Sequence, residues 1–220
     1  MKIAVLGTGT VGQQIGSKLV ALGHEVMMGS RTAGGDKATA WAQQAGKGAS
    51  EGTFAEAAAF GEQVWNCTAG GASLQALQAA GAQNLAGKIL VDLSNPLDFS
   101  KGFPPTLSVC NDDSLGEQIQ RAFPEAKVVK TLNTMANPIM VDPGFVPGDH
   151  EVIVSGNDAQ AKAEVTRLLT EQFGWRSVID LGDITTARGT EAWLLLWTRL
   201  YAALGNADFN LHLQRKPKEG

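Results

Sequence analysis

An apolar run, Ile3-Ala4-Val5-Leu6, passes straight into Gly7-Thr8-Gly9-Thr10-Val11-Gly12, and a helical pattern follows over 10–22. Glycine is abundant in this chain, at 26 residues, so the spacing alone says little. Its placement between a buried strand and the start of a helix is what a dinucleotide fingerprint requires. In that reading Gly7 permits the tight turn, Gly9 lets a pyrophosphate approach the main chain, and Gly12 allows close packing of helix on strand. Thr8 lies within the turn, and the amides of Thr10 and Val11 face the phosphates at the positive end of the helix.

Short apolar runs continue to alternate with helical patterns through most of the chain, the mark of repeated βα units and a sheet buried on both faces. The pattern predicts strands at 2–6, 25–29, 63–68, 88–93, 127–132, 151–155 and 177–181, with a weaker one at 49–53. Helices are expected at 10–22, 36–45, 54–61, 73–80, 114–122 and 159–172. The fold class is therefore α/β: a Rossmann-type, doubly wound, mainly parallel sheet over residues 1–183. From residue 184 the pattern changes to a long helical stretch, 185–204, and a shorter one near 207–214, which places His212 on a terminal helix. This segment, 184–220, is expected to cover the cleft or to form a dimer contact.

The end of the second strand separates the two nicotinamide dinucleotides. An acidic residue there accepts hydrogen bonds from a ribose hydroxyl and repels a phosphate on it. Here the strand ends Gly29-Ser30-Arg31-Thr32. Arg31 offers a planar, permanently charged fork, Ser30 and Thr32 add hydroxyls, and Lys37 adds a second cation, so NADP(H) is the expected cofactor.

The chain carries a formal charge of −4, which argues against nucleic acid as a partner. The longest later apolar run, 192–204, is broken by Thr198 and Arg199 and cannot span a bilayer. Only Cys67 and Cys110 are present, with no close Cys/His grouping for a metal. These features fit a cytoplasmic protein without metal or membrane partner.

A carbonyl reductase sets an acid beside the nicotinamide, and candidates are few. The single tyrosine, Tyr201, is followed by Ala202-Ala203-Leu204-Gly205, which excludes a Tyr-x-x-x-Lys pair, and no lysine occurs between Lys162 and Lys216. His24 precedes the second strand, away from the nicotinamide end. His150 has two readings, a solvated loop residue or a group reaching the site. Cys67 reads as a buried small hydrophobe, with nothing basic beside it in sequence to activate it. Trp193 and Trp197 share one side of the long helix, for packing, a dimer contact, or stacking on an aromatic acceptor.

The opening motif, the segment Leu22-Gly23-His24-Glu25-Val26 and the Gly29-Ser30-Arg31 turn, together with Val91-Asp92-Leu93-Ser94-Asn95-Pro96-Leu97 and Val128-Val129-Lys130-Thr131-Leu132-Asn133-Thr134, resemble the coenzyme F420-dependent NADP oxidoreductase family. Related branches of that family include the reductase domains of membrane ferric reductases. The resemblance implies a nicotinamide end beside Cys67-Thr68, near Asn95 and near Asn133, Met135 and Ala136. It also implies a small-molecule redox acceptor, a flavin-like or deazaflavin ring (F420, FMN or FAD) stacked on the nicotinamide, with direct hydride passage and no side-chain acid or base. A homodimer is expected. Two alternatives stay open: reduction of a small carbonyl or imine, and a non-catalytic NADPH-sensing protein.

Overall fold

A computed structural model describes residues 1–216. The strands are β1 (Lys2–Leu6), β2 (Glu25–Ser30), β3 (Ala49–Thr53), β4 (Gln63–Asn66), β5 (Ile89–Asp92), β6 (Leu97–Asp98), β7 (Thr106–Leu107), β8 (Lys127–Thr131), β9 (Val152–Ser155) and β10 (Val178–Asp180). Eight of them form one sheet in the order β10-β9-β8-β5-β4-β1-β2-β3, while β6 and β7 make a small separate hairpin. Strands β3, β2, β1, β4, β5 and β8 are parallel, β9 is antiparallel to β8, and β10 runs parallel to β9. The fold is the Rossmann-type α/β arrangement, with the weaker strand at 49–53 as its β3 edge.

Side-chain alternation explains why both faces are covered. Ile3 and Val5 pack in one apolar cluster with Trp65, Val91 and Val129, and Ala4 and Leu6 pack in the other with Val64, Leu90 and Val128. The first cluster is closed by α1 (Thr10–Ala21), α2 (Asp36–Ala45), α7 (Asn137–Val141) and α8 (Ala159–Leu168). The second is closed by α3 (Phe54–Phe60), α4 (Gly70–Ala80), α5 (Ala82–Leu85), α6 (Leu115–Ala122) and the first turn of α9 (Ala187–Leu204). Among the described residues no helix is long and apolar enough to cross a membrane.

Sequence pattern missed several short elements. The four-residue α5, the five-residue α7 and the two-residue strands β6 and β7 are too brief to show a period. Helix α8 stops at Leu168 and continues as a wider turn to Phe173.

The expected helix at 207–214 does not form, and His212 therefore lies on no helix. Gly205, at φ +72°, ends α9 in the left-handed region, and the Asn206 side chain accepts from the Asp208 amide at 3.0 Å. Beyond that the backbone bonds to the start of β9 instead of to itself: the Glu151 amide donates to the Leu211 carbonyl at 3.0 Å, and the Glu151 carboxylate accepts from the Leu213 amide at 3.0 Å. Local apolar spacing was outweighed by this tertiary pairing.

The fingerprint turn is built by two glycines with different demands. Gly7 sits at φ +114°, where a side chain is strained, and its amide donates to the Gly29 carbonyl at 3.0 Å. At Gly12 a Cβ would lie 2.0 Å from the Gly7 carbonyl oxygen. Gly12→Ala should therefore lower stability by about 1 to 3 kcal/mol or more, whereas Gly9→Ala, with open space at its Cβ, should leave it nearly unchanged. Urea unfolding of the two variants compares them directly, and equal midpoints would contradict the close approach at Gly12.

Candidate active site

All six parallel strands end on one edge of the sheet, and the chain leaves β1 for β2 on one side while β4 lies on the other. This switch point opens a crevice at the carboxyl edge. A cleft of about 760 Å³ lies there, lined among others by Gly7, Thr8, Gly9, Ser30, Arg31, Thr32, Lys37, Cys67 and Thr68. Helix α1 starts at its floor with Gly9 as N-cap and no side-chain cap, so Thr10, Val11 and Gly12 occupy a first turn whose amides have no intrahelical acceptor. Nothing lies within 4 Å of a Cβ built on Gly9. An anion can reach the positive helix end there unobstructed.

At the end of β2, Arg31 and Lys37 are exposed, and neither pairs with a carboxylate among the described residues, although Asp36 also lines the cleft. Two cations without partners suit a phosphate dianion. Ser30 lines the cleft as well, and its hydroxyl donates to the Thr32 carbonyl at 2.6 Å, which shapes the turn.

On the β4 side, Cys67 is buried and Thr68 half-buried. Burial, and then the nearby Asp92 carboxylate, push the Cys67 thiol far above its ordinary range. Asn95 and Asn133 cross-link the loops after β5 and β8: the Asn95 Nδ2 donates to the Asn133 carbonyl at 2.8 Å, and the Asn133 Nδ2 donates to the Asn95 Oδ1 at 2.9 Å. Neither is among the residues lining the cleft. Met135 points into the core, 5% exposed, and Ala136 is the half-buried N-cap of α7; neither is among the residues lining the cleft.

Beneath the wall lies a polar cluster that sequence reading did not identify. Strand register sets Asn66 opposite Asp92, Asp92 opposite Lys130, and Lys130 opposite Ser155. Lys130 Nζ meets Asp92 Oδ2 and Glu191 Oε1, each at 2.8 Å, and donates to the Ser94 carbonyl; the Lys130 and Asp92 side chains are 0% exposed. Glu191, from α9, also accepts from the Leu115 and Gly116 amides at 2.8 and 3.0 Å, the first turn of α6. Burial works against the Lys130 charge, but the two carboxylates outweigh it and hold the ammonium above its ordinary range. The signal available in sequence was a charged residue closing each of two apolar runs, Ile89-Leu90-Val91-Asp92 and Lys127-Val128-Val129-Lys130.

The remaining candidates lie elsewhere. His150 sits on a separate cavity of about 820 Å³. Its Nε2 faces the Pro143 and Val146 carbonyls at 2.9 and 3.2 Å, and its Nδ1 meets the Asn210 amide nitrogen at 2.9 Å. That is a structural setting. His24 bonds to Gln172 at 2.9 Å, and His212 lies 3.4 Å from Glu151. The two tryptophans diverge: Trp193 Nε1 donates to the Thr134 carbonyl at 3.0 Å, while Trp197 stacks on Tyr201 with ring centres 5.8 Å apart.

Comparison with known proteins agrees with this geometry. The family model for coenzyme F420-dependent NADP oxidoreductase matches residues 2–96. A solved structure from Arthrobacter sp. FB24, provisionally named an F420-dependent NADP reductase, is 58% identical, with a TM-score of 0.93 over 98% of this chain and 100% of that one. The F420-dependent NADP reductase of Methanocaldococcus jannaschii is 34% identical over 111 residues, 50% of this chain and 49% of that protein. Metalloreductase STEAP3 of Rattus norvegicus is 29% identical over 191 residues, 87% of this chain and 36% of that protein. The matched stretch thus spans half or less of these two curated relatives.

The contrast between the cysteines is directly measurable. The thiolate is the reactive form, so Cys110, which is exposed, should react quickly with dithionitrobenzoate while Cys67 stays silent. Raising the pH through the ordinary thiol range should leave Cys67 unreactive. The native protein should titrate as one thiol and the denatured protein as two; a Cys110→Ala variant with a fast native thiol would contradict the burial of Cys67.

Proposed function

The chain belongs to the coenzyme F420-dependent NADP oxidoreductase family, and we propose that it transfers hydride between NADP(H) and a flavin-like or deazaflavin ring, F420 before FMN or FAD. The observation that carries this reading is a single cleft combining an open helix N-terminus at Gly9 with the unpaired cations Arg31 and Lys37. The first fits a pyrophosphate and the second a ribose phosphate.

NADPH, when bound, supplies the hydride; the chain's residues bind and orient it. Gly9 leaves the amides of the first turn of α1 accessible, and Arg31 and Lys37 hold the adenine end. Asn95 and Asn133 brace the two loops beside the nicotinamide end, and Trp193 ties α9 to the Thr134 carbonyl on the same edge. Among the described residues, the two candidates raised by the sequence are not set up as acids at this edge: the Cys67 thiol is held protonated by burial, and His150 is bonded away from the cleft. Such a site suits a reaction whose barrier is lowered by orientation, with the chemistry carried by the two rings. The exposed Leu195, Leu196 and Leu204 of α9 favour a homodimer through that helix.

Arg31→Ala should weaken NADPH binding by about 1.5 to 3 kcal/mol, the loss of a charge-assisted contact, and leave NADH binding almost unchanged. Fluorescence titration with both nucleotides reads the difference, and an equal loss for both would remove the phosphate assignment. For the acceptor, NADPH deuterated at the transferred position should label F420 directly. Tight NADPH binding with no turnover of F420, FMN or FAD would favour the sensing alternative.

A further inference from the structure

Thr68 stands where the cleft meets the buried cluster, and the hydrogen bonds between them have only one consistent direction. An ammonium can only donate and a carboxylate can only accept. Lys130 Nζ donates to Asp92 Oδ2 at 2.8 Å. The other oxygen, Asp92 Oδ1, accepts from Asn66 Nδ2 at 2.8 Å, and from the Ser94 hydroxyl at 2.7 Å. With its amide nitrogen committed to Asp92, Asn66 presents Oδ1 to Thr68, whose hydroxyl donates to it at 2.6 Å. The Thr68 proton is thus drawn inward, toward the ions, which leaves the Ser73 hydroxyl, 2.8 Å away, to donate to the Thr68 oxygen; one further lone pair of that oxygen remains to accept on the wall of the cleft.

That polarity selects the ligand group. A phosphate offers acceptors only, so the pyrophosphate cannot be its partner. The adenine half is held across β1, at Arg31. Building on the dinucleotide reading above, we propose that the Lys130-Asp92-Asn66 relay fixes Thr68 as a hydrogen-bond acceptor for a donor on the nicotinamide half of the cofactor, the carboxamide amide or a hydroxyl of its ribose. Thr68 is then a binding residue, and Asp92 and Lys130 are positioning residues that act through it. Glu191 extends the relay to α9: it also holds Lys130, at 2.8 Å, so the setting of Thr68 depends on that helix being docked.

Calorimetric titration with three ligands tests this: NADPH, phosphoadenosine diphosphate ribose, which lacks the nicotinamide ring, and adenosine bisphosphate, which lacks the nicotinamide ring and its ribose. Thr68→Val should weaken NADPH about tenfold, the loss of one hydrogen bond that leaves a donor unpaired. Thr68→Ser should restore affinity to within about twofold, and neither change should affect adenosine bisphosphate. A loss shared by the diphosphate ribose identifies the ribose hydroxyl; a loss confined to NADPH identifies the carboxamide. Asp92→Asn and Glu191→Gln, made separately, should reproduce the selective NADPH loss. Wild-type NADPH affinity in Thr68→Val, an equal loss for adenosine bisphosphate, or no rescue by serine overturns the proposal, whether or not the buried variants fold. A folded Asp92→Asn protein with unchanged NADPH affinity overturns the relay. Failure of the unmodified protein to bind any of the three ligands would refute the dinucleotide reading itself.

Discussion

One ammonium, that of Lys130, holds together parts of the molecule that are far apart in sequence. Its two carboxylate partners come from β5 and α9, and Glu191 in turn accepts the first amides of α6. A buried ion pair adds little to stability when compared with an apolar replacement, yet loss of one partner leaves an uncompensated charge at a cost of about 3 to 5 kcal/mol. The second carboxylate brings an excess negative charge, and the positive end of α6 lies against it. The cluster therefore specifies geometry more than it adds stability: with Lys130 in place, β8 must sit beside β5, and α9 must return across the second face of the sheet.

Position makes that geometry matter. Asn66, Asp92 and Lys130 are in register across three parallel strands, one step before the loops that form the crevice. An apolar residue at Asn66 or Asp92 would remove the side-chain bonds that Thr68 and Ser94 make to the strand ends. The polar row instead gives the β4 loop a fixed hydrogen-bond polarity, and the reciprocal pair Asn95 and Asn133 holds the next two loops together. Binding groups on loops are thereby fixed by rigid strands beneath them.

The legible parts of this design were those with a local period or a local steric demand. The strands β1 and β2, the helix α1 between them and the Gly7 turn follow from sequence because burial alternation and backbone conformation are properties of neighbours. Arg31 and Lys37 stood out in sequence because they put charge just after one strand end, and the structure sets both on the cleft. Two kinds of feature were not legible. The bond of the Ser30 hydroxyl within its own turn had no sequence signal. Asp92, Lys130 and Glu191 were hidden because charge is ordinarily read as surface, and only the strand register and the return of α9 bring them together. The segment after Gly205 failed for a related reason: its amides and carbonyls found partners on Glu151.

The same separation between buried polar order and exposed charge bears on mechanism. A general acid must pass a proton to the reacting group, which requires contact with it. Lys130 is wholly enclosed, its ammonium donating to Asp92, Glu191 and the Ser94 carbonyl, and so has no proton to deliver to the cleft. Cys67, although it lines the cleft, is held in the thiol form by burial and by the carboxylate of Asp92. The ionisable groups nearest the β4 side of the crevice are thus spent on structure, and the cations Arg31 and Lys37, which pair with no carboxylate among the described residues, sit at the β2 side. A site divided in this way supports the reading proposed above, in which binding energy is placed at one end and orientation at the other.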